Sequence, residues 1–312
     1  MSSQPTSRPL APEQRRLGWA TLLWIGGLHV AAFAAPFFFT WSGLIVFAGL
    51  YVITGLGITL GYHRLLTHRS FHTNKFIEYM LAVFGVLANQ DGPLTWAGTH
   101  RKHHTHSDEP DDPHSPVEHG FWWAHVGWWM RPEPRDPEKS LFNVKDLARD
   151  PVLRFLERWH WLFPMLLGAV LWVLGELWSG SGLSWVLWGV AARTVFVYHA
   201  TWLVNSAAHK WGYQGFNTGD KSRNLWWVAL VTFGEGWHNN HHAHQRSAAH
   251  GLRWWEFDIT YMIIRGMAWM GLARDIHVSP KPKAKPGSRK SVWRILWPKK
   301  GRRLAKRVAS MK

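Results

Sequence analysis

The chain has 312 residues, enough for one large domain or two modest ones. It contains 20 histidines and 24 tryptophans but no cysteine, so disulfides and zinc–thiolate sites are excluded and any metal must bind to nitrogen or oxygen. The formal charge is +16, but residues 281–312 alone hold 13 Lys and Arg and no acidic residue, which leaves +3 for the other 280 residues. No base-reading motif accompanies this charge, so nucleic-acid binding is not expected.

The two ends of the chain differ in composition from its middle. Residues 1–16 are predicted to be a disordered N-terminal segment, and residues 279–312 form a basic C-terminal tail. The tail begins Pro-rich and later places Val292, Ile295 and Trp297 among cations. This pattern fits either a solvated, mobile tail or a segment that lies on an anionic membrane surface.

Four apolar stretches predict membrane-spanning helices. Residues 17–41 contain no charged residue and would measure about 37 Å as a helix, enough to cross a bilayer. Residues 42–61 follow directly, and the second pair, 161–177 and 183–204, is joined by the turn SGSG. Each pair is therefore predicted to form a helical hairpin.

The distribution of Lys and Arg predicts the orientation of these hairpins. Basic residues precede and follow each pair, and neither hairpin turn contains one. By the positive-inside rule, both termini and the segments 62–160 and 205–278 are expected on the cytoplasmic side. Arg193 lies inside the fourth stretch, where it is expected to face protein, water or a lipid headgroup.

Three histidine clusters fall on this predicted cytoplasmic side. In THRKHHTHSD and WHNNHHAH the HxxHH spacing can direct three imidazoles from one helical face towards one place. In GYHRLLTHRSF, His63 and His68 are about 140° apart on an ideal α-helix, so they are expected to serve different metals or to straddle a helix end. A further histidine, His209, is one turn after Asn205. The candidate ligands are His63, His68, His100, His103, His104, His209, His238, His241 and His242.

Nine imidazoles are too many for one ion, so two ions are the simpler prediction. Imidazole suits iron, zinc, copper and nickel alike. A structural zinc site closes with four ligands, so the number and spread of these histidines favour redox iron. The other eleven histidines, among them His244 and His250, are interpreted as lying outside the metal site.

The motifs together resemble those of the membrane fatty-acid desaturases. The resemblance is to the Δ9 branch, which includes stearoyl-CoA desaturase and the bacterial and cyanobacterial acyl-lipid desaturases. It covers about residues 55–257 and is carried, in the same order and at similar spacing, by GYHRLLTHRSF, WAGTHRKHH, DPHSP, GFWWAHVGWW, TWLVNSAAH and GEGWHNNHH.

This resemblance implies the fold and the site. The fold would be an all-α integral membrane protein, with four transmembrane helices in two hairpins and a cytosolic helical cap that holds a histidine-rich dimetal site, all within residues 17–278. The family's metal ligands correspond to the nine histidines named above, and Asn205 corresponds to a residue that reaches one metal through water. The residues that line and bend the family's substrate tunnel correspond to Gln90, Trp96, Thr201 and Trp202.

The resemblance also implies the reaction and the partners. The expected activity is O2-dependent introduction of a cis double bond, at Δ9, into a saturated acyl chain, with two ferrous ions as cofactor. No flavin, haem or iron–sulfur motif is visible, so electrons are expected from an external ferredoxin or cytochrome b5-type donor, and an acidic ferredoxin on a basic face is the specific hypothesis. The predicted location is the bacterial inner membrane or the thylakoid.

The substrate carrier and the reaction class leave alternatives open. Glu118 and His119 stand where acyl-CoA desaturases of animals have an arginine pair that helps to hold CoA, which favours acyl-lipid over acyl-CoA. A histidine-rich diiron hydroxylase or alkane monooxygenase would share the metal and O2 but insert oxygen. A membrane metal-binding or transport protein is a more distant alternative, because transporters place their ligands near the bilayer midplane.

Overall fold

The computed structural model describes residues 15–132 and 142–279, and the predicted N-terminal segment and basic tail lie almost entirely outside this range. The described residues form helices joined by turns, with three isolated β-bridges and no strand. The α-helices are α1 (Trp19–Ala34), α2 (Trp41–Leu56), α3 (Lys75–Leu87), α4 (Pro93–Thr105), α5 (Pro116–His119), α6 (Trp128–Met130), α7 (Pro151–Trp159), α8 (Leu162–Ser179), α9 (Gly182–Val186), α10 (Arg193–Ser206), α11 (Trp226–Val231), α12 (His238–Ala243) and α13 (Ile259–Trp269).

Several of these helices are extended by other helical windings. Short 3₁₀ segments occur at Ala35–Phe38 and Phe142–Val144. π-Helical segments continue α2 over Gly57–Thr67, precede α6 over Trp123–Gly127, and join α9 to α10 over Leu187–Ala192. π-Helical windings are rare and often mark functional sites.

Within the described ranges, three helices are long and apolar enough to cross a membrane, namely those over Trp19–Phe38, Trp41–Thr67 and Leu162–Ser179. The fourth predicted span corresponds to a continuous helical stretch over residues 182–206, which is not among them. Arg193 lies in this stretch and is completely buried. Its guanidinium donates to the backbone oxygens of Gly189, at 2.9 Å, and Leu87, at 2.7 Å, so it faces protein.

Turns and caps follow the sequence signals. Thr40 accepts a hydrogen bond from the Gly43 amide, which caps α2 directly after α1 and its 3₁₀ extension. Gly180 ends α8 in the left-handed conformation, with φ of 61°, where glycine has no Cβ penalty. The two hairpin turns are in contact, because the hydroxyls of Thr40 and Ser184 lie 2.8 Å apart.

The π-helical segment after α2 packs directly against α3. A Cβ on Gly57 would lie 2.2 Å from the carbonyl carbon of Phe84, and one on Gly85 would lie 2.4 Å from the ring of Tyr62. Only glycine permits this close backbone approach. The contact continues into a buried cluster that includes Val86 and fixes the segment carrying the first histidine pair.

Candidate metal centre

His63 and His68 come together because the segment that carries His63 is π-helical. The amide of His68 donates to the carbonyl of His63 at 3.1 Å, an i to i+5 bond that places the two residues one turn apart. Their ring centroids are 4.8 Å apart. Of the two alternatives that α-helical geometry left open, different metals or a helix end between them, the structure agrees with the second, because His68 caps the helix that contains His63.

The three histidines of each HxxHH block point to two different sites, although the sequence spacing allowed all three to point to one. On α4 the middle histidine of the block, His103, points away from the outer pair, and on α12 His241 does the same. Ligand atoms within 4.8 Å of one another define a five-histidine group and a four-histidine group. The five-histidine group consists of His63, His68, His100, His104 and His241, and the four-histidine group consists of His103, His209, His238 and His242.

Within each group the Nε2 atoms face one another. In the five-histidine group, Nε2 of His241 lies 3.1 Å from that of His63 and 2.8 Å from that of His104. In the four-histidine group, Nε2 of His238 lies 3.0 Å from that of His209. All nine predicted ligands are brought into these two groups.

Carboxylates orient three rings of the four-histidine group. The Nδ1 atom of His103 donates to Asp112 at 3.0 Å, and that of His242 donates to Asp220 at 2.7 Å. The third such bond joins His209 to Asp108 at 2.9 Å. These bonds fix which ring nitrogen carries the proton and aim the other one into the group, as is usual for histidines that bind metals.

The donor set of this group fits a cation. The Nε2 atoms of His103 and His242 are 3.3 Å apart, and each ring already uses its Nδ1–H on a carboxylate. Two neutral rings in this state present lone pairs to each other. Only a proton on one ring or a cation between them relieves the repulsion, and four converging imidazoles suit a transition metal.

One carboxylate, Glu235, contacts the five-histidine group, and it does so through a single ring, that of His63. Its oxygens lie 2.7 Å from Nδ1 of His63 and 3.0 Å from a guanidinium nitrogen of Arg64, which is completely buried. Arg64 also pairs with Asp258 at 2.9 Å. His250 is buried and its Nδ1 lies 3.1 Å from Glu235. It therefore lies outside the five-histidine group but shares the carboxylate that contacts His63.

Burial keeps most of these histidines neutral. It lowers the pKa of His68 and His104 well below the ordinary value, and the neighbouring histidines lower it further. The same causes, in the same order, lower the pKa of His100, His238 and His241. Burial alone would raise the pKa of Asp112, but His103 holds that pKa below its usual range. Neutral imidazoles and ionised carboxylates are the states that metal binding requires.

The carboxylates are the functional residues that sequence reasoning missed. Asp112 begins the DPHSP motif, and Asp108 lies in the same acidic run after the first HxxHH block. Acidic residues close to histidine blocks were thus a usable signal. Glu235 stands three residues before the second HxxHH block and carried the same signal, whereas Asp220 lies 22 residues before His242, the histidine that it supports, and carried none.

A largely apolar cavity adjoins both histidine groups. Its wall includes His63 and His100 of one group, His238 of the other, and Asn205 beside them. From there it extends between α2, α10 and the turn after α11, where it is lined by apolar residues such as Ile58, Val197 and Phe233. An apolar chain that entered this cavity would pass directly beside the candidate metal centre.

The four predicted tunnel residues are not all placed alike. Trp96 and Thr201 line the cavity. Gln90 lies behind them, where its amide donates to the Thr201 hydroxyl at 2.8 Å and its carbonyl accepts from the Trp96 indole at 3.4 Å. Trp202 is buried but is not among the lining residues, and its ring packs against His125, Trp129, Tyr198 and His199.

Comparisons with known proteins agree with this architecture. The family model for fatty acid desaturases matches residues 39–275. An sn-1 stearoyl-lipid 9-desaturase from Anabaena variabilis is 49% identical over 269 residues, which cover 85% of this chain and 96% of the relative. An sn-2 palmitoyl-lipid 9-desaturase from Nostoc sp. (strain 36) is 43% identical over 89% of this chain and 98% of the relative. An acyl-CoA C20 Δ5-desaturase from Anemone leveillei is 44% identical over 82% of this chain and 81% of the relative.

Both the extent and the level of this similarity exceed what a shared fold alone would require, and the matched region contains both histidine groups and the apolar cavity. The chain therefore belongs to the fatty acid desaturase family and is a membrane-bound oxidoreductase of lipid metabolism.

Proposed function

We propose that this protein is an acyl-lipid Δ9 desaturase, which introduces a cis double bond into a saturated acyl chain of a glycerolipid. The observation that carries the proposal is the apolar cavity walled at one side by histidines of both groups. Relatives that match nearly their whole length are named as 9-desaturases of lipid-linked stearoyl and palmitoyl chains. The bond position and the saturated acyl chain are taken from this combination of cavity and likeness.

The proposed cofactor is a pair of ferrous ions. The five-histidine group would hold one and the four-histidine group the other, with Asn205 contributing through water to one of them. When bound, the irons supply the O2-dependent oxidation that removes one hydrogen from each of two neighbouring methylene groups. Imidazole nitrogen is a suitable ligand for iron, and the neutral state of these buried histidines leaves that nitrogen free.

The chain's own residues have the task of positioning. A saturated chain has no polar handle at its reacting carbons, so the shape of the cavity must present one carbon pair to the oxidant. The hydrogen bonds from Gln90 to Thr201 and from Trp96 to Gln90 tie α10 to α4 at this point, and Trp96 also stacks against His100 at 5.1 Å. These contacts fix the cavity wall relative to the histidines.

The choice of a lipid carrier rests on the residue at one position of α5, Glu118. The relatives named above include lipid-linked and CoA-linked enzymes at similar identity, so likeness alone does not decide the carrier. Glu118 is exposed on α5 and would repel the phosphates of CoA at the position that corresponds to an arginine in the acyl-CoA desaturases of animals. We therefore favour a glycerolipid substrate.

The proposed topology has four spans in two hairpins, with both termini on the cytosolic side. The contact between the two hairpin turns, through Thr40 and Ser184, places them at one end of the bundle, and the histidine groups belong to the segments beyond the other ends of the hairpins. The helical cap over 62–160 and 205–278 would then be cytosolic. The bacterial inner membrane or the thylakoid is the proposed location, with a ferredoxin or cytochrome b5-type protein as electron donor.

Lipid analysis tests the proposal directly. The chain and its His241→Ala variant would be expressed in a host that lacks Δ9 unsaturation, and the acyl groups of each lipid class would be analysed by gas chromatography and mass spectrometry. We expect a new cis-Δ9 monoene, first in glycerolipids, with the parent chain and none with the variant. Hydroxylated chains, or a double bond at another position, would contradict the proposal.

A further inference from the structure

The five-histidine group is reached from two sides that differ in chemistry. On one side lies the apolar cavity, which touches His63 and His100. On the other lies a polar surface groove with His68 and His104 in its wall. The two linings share no residue, so the groove is not an extension of the acyl-chain cavity.

Cationic side chains surround this groove. It is lined by Arg69, whose side chain is 51% exposed, by Arg101, and by Arg246, which is also exposed. Among the described residues, one carboxylate faces them, that of Asp146, which pairs with Arg69 at 2.6 Å and with Arg101 at 2.7 Å. Within this part of the chain, three guanidinium groups against one carboxylate give the rim a net positive charge.

The guanidinium groups are held in different ways. Arg101 is anchored, because it also donates to the backbone oxygens of Thr67 and Asn143. Arg246 contacts only the Nε2 atom of His277, at 3.0 Å, and no carboxylate lies within ion-pair distance of it among the described residues. The Arg246 charge is therefore available to an anionic partner, and Arg69 shares its single carboxylate with Arg101.

We propose that this groove is the docking surface for an acidic one-electron carrier protein. The inference rests on the proposed desaturase function, in which O2 and two hydrogens of the acyl chain, together with two protons and two external electrons, give two waters. Each donated electron oxidises the reduced carrier by one unit. A carrier seated over the groove would face His68 and His104 directly, whereas the apolar cavity is left to the substrate.

A lipid headgroup fits the groove less well. The headgroup of a bound substrate must lie at the mouth of the cavity that holds its acyl chain, and that cavity is separate from the groove. The groove also has few apolar residues to hold acyl chains. Its guanidinium groups instead suit the clustered carboxylates of an acidic protein surface, which would steer and orient the encounter.

Binding measurements test the docking surface. The full chain, in nanodiscs of zwitterionic lipid, would be titrated with a plant-type [2Fe–2S] ferredoxin at low ionic strength, using biolayer interferometry. We expect Arg69→Glu and Arg246→Glu each to weaken binding by about tenfold, since each reverses one charge at the rim. The matched control is Arg265→Glu, which reverses an exposed arginine on α13 that does not line the groove.

Two results would overturn the inference. One is equal ferredoxin binding by the parent and both groove variants, and the other is a parent chain that binds no ferredoxin. If the groove variants lose binding to anionic vesicles but keep ferredoxin binding, the groove is a lipid site and the inference is also wrong.

A second measurement separates this inference from the proposed function. The iron-loaded protein would be reduced with dithionite, mixed with O2 and lipid substrate without any carrier, and assayed for one turnover of monoene. Monoene from both the parent and the groove variants supports the inference, because the variants then differ only in docking. If the parent forms no monoene, the proposed function fails, while the binding result still decides whether an acidic protein docks here.

Discussion

The two histidine groups use the same two helices, α4 and α12, but their surroundings differ. In the four-histidine group three rings donate Nδ1–H to separate carboxylates. In the five-histidine group Glu235 serves His63 and also pairs with Arg64 and His250. The first arrangement fixes each ring independently, whereas the second ties one ring to a single buried ion cluster.

Access differs as well. The apolar cavity touches both groups, but the polar groove touches only His68 and His104 of the five-histidine group. His103 and His209 of the other group are almost completely buried. The two groups therefore differ in anchoring and in accessibility. The four-histidine group is held rigidly by carboxylates, and the five-histidine group lies between the cavity proposed for the substrate and the solvent-exposed groove.

Removal of one histidine from either group should lower desaturase activity and metal content more than any other change considered below. We expect His241→Ala and His238→Ala each to lower desaturation by more than about hundredfold, since changes in the partners of ligands alone cost 10–100-fold. Each variant should retain the metal of the other group, so metal analysis should fall from two ions to one per chain. The control is His106→Ala, an exposed histidine outside both groups. Loss of both metals in each variant would show that the groups are not independent.

Neutralising a carboxylate that pairs with a histidine should lower metal affinity less than removal of the histidine does. It should also affect the metal of one histidine group and not that of the other. Asp112→Asn removes the charge that faces His103, so we expect the metal affinity of the four-histidine group to fall by about 10–100-fold while the other ion is retained. Competition with a chelator would measure this. Glu109→Gln, an exposed carboxylate nearby, is the matched control. Equal release of both ions would contradict the separation of the groups.

Narrowing the cavity should alter substrate choice without altering either group. A Cβ on Gly55 would lie 2.2 Å from the ring of Phe233, so Gly55→Leu must fill the cavity wall there. We expect the ratio of C16 to C18 monoene to rise by on the order of tenfold, the scale of discrimination by a few methylenes. Gly49→Leu on the same helix has open space around it and is the control. An unchanged product ratio would mean that the acyl chain does not reach Gly55.

The smallest effect is expected from the hydrogen bond behind the cavity wall. Thr201→Val leaves the Gln90 amide without its 2.8 Å acceptor, at a cost of about 1 kcal/mol in the free energy of unfolding. Thr201→Ser restores the hydroxyl and should recover the loss in a thermal melt. Metal content should match the parent in both variants, and a loss of metal would instead place Thr201 in the support of the histidines.

Many helices and all candidate metal ligands of this protein could be predicted from short stretches of sequence. The apolar stretches of about twenty residues, and the Gly/Ser turn before Leu183, correspond within a few residues to helices and a turn of the structure. They could be predicted because the length and hydropathy of a single stretch indicate whether it can form a membrane-spanning helix. The histidine blocks were equally visible, since the HxxHH spacing is short. Every candidate ligand named from the sequence lies in one of the two groups.

The tertiary structure decided how those ligands are shared and supported. His63 and His68 meet because a π-helical winding replaces the α-helix that sequence periodicity assumes, and that winding is held by packing against α3. The position of Trp202 away from the cavity wall likewise depends on the rotation of α10.

The carboxylates that pair with the histidines also depend on the tertiary structure. Glu235 lies 172 residues after His63 and Asp220 lies 22 residues before His242, and no spacing rule links either pair. The sequence by itself therefore determined which side chains could bind metal and which segments could enter a membrane. Which ligands face each other, and which carboxylate orients each ring, depended on long-range packing, because a hydrogen bond between distant segments exists only once the helices have come together.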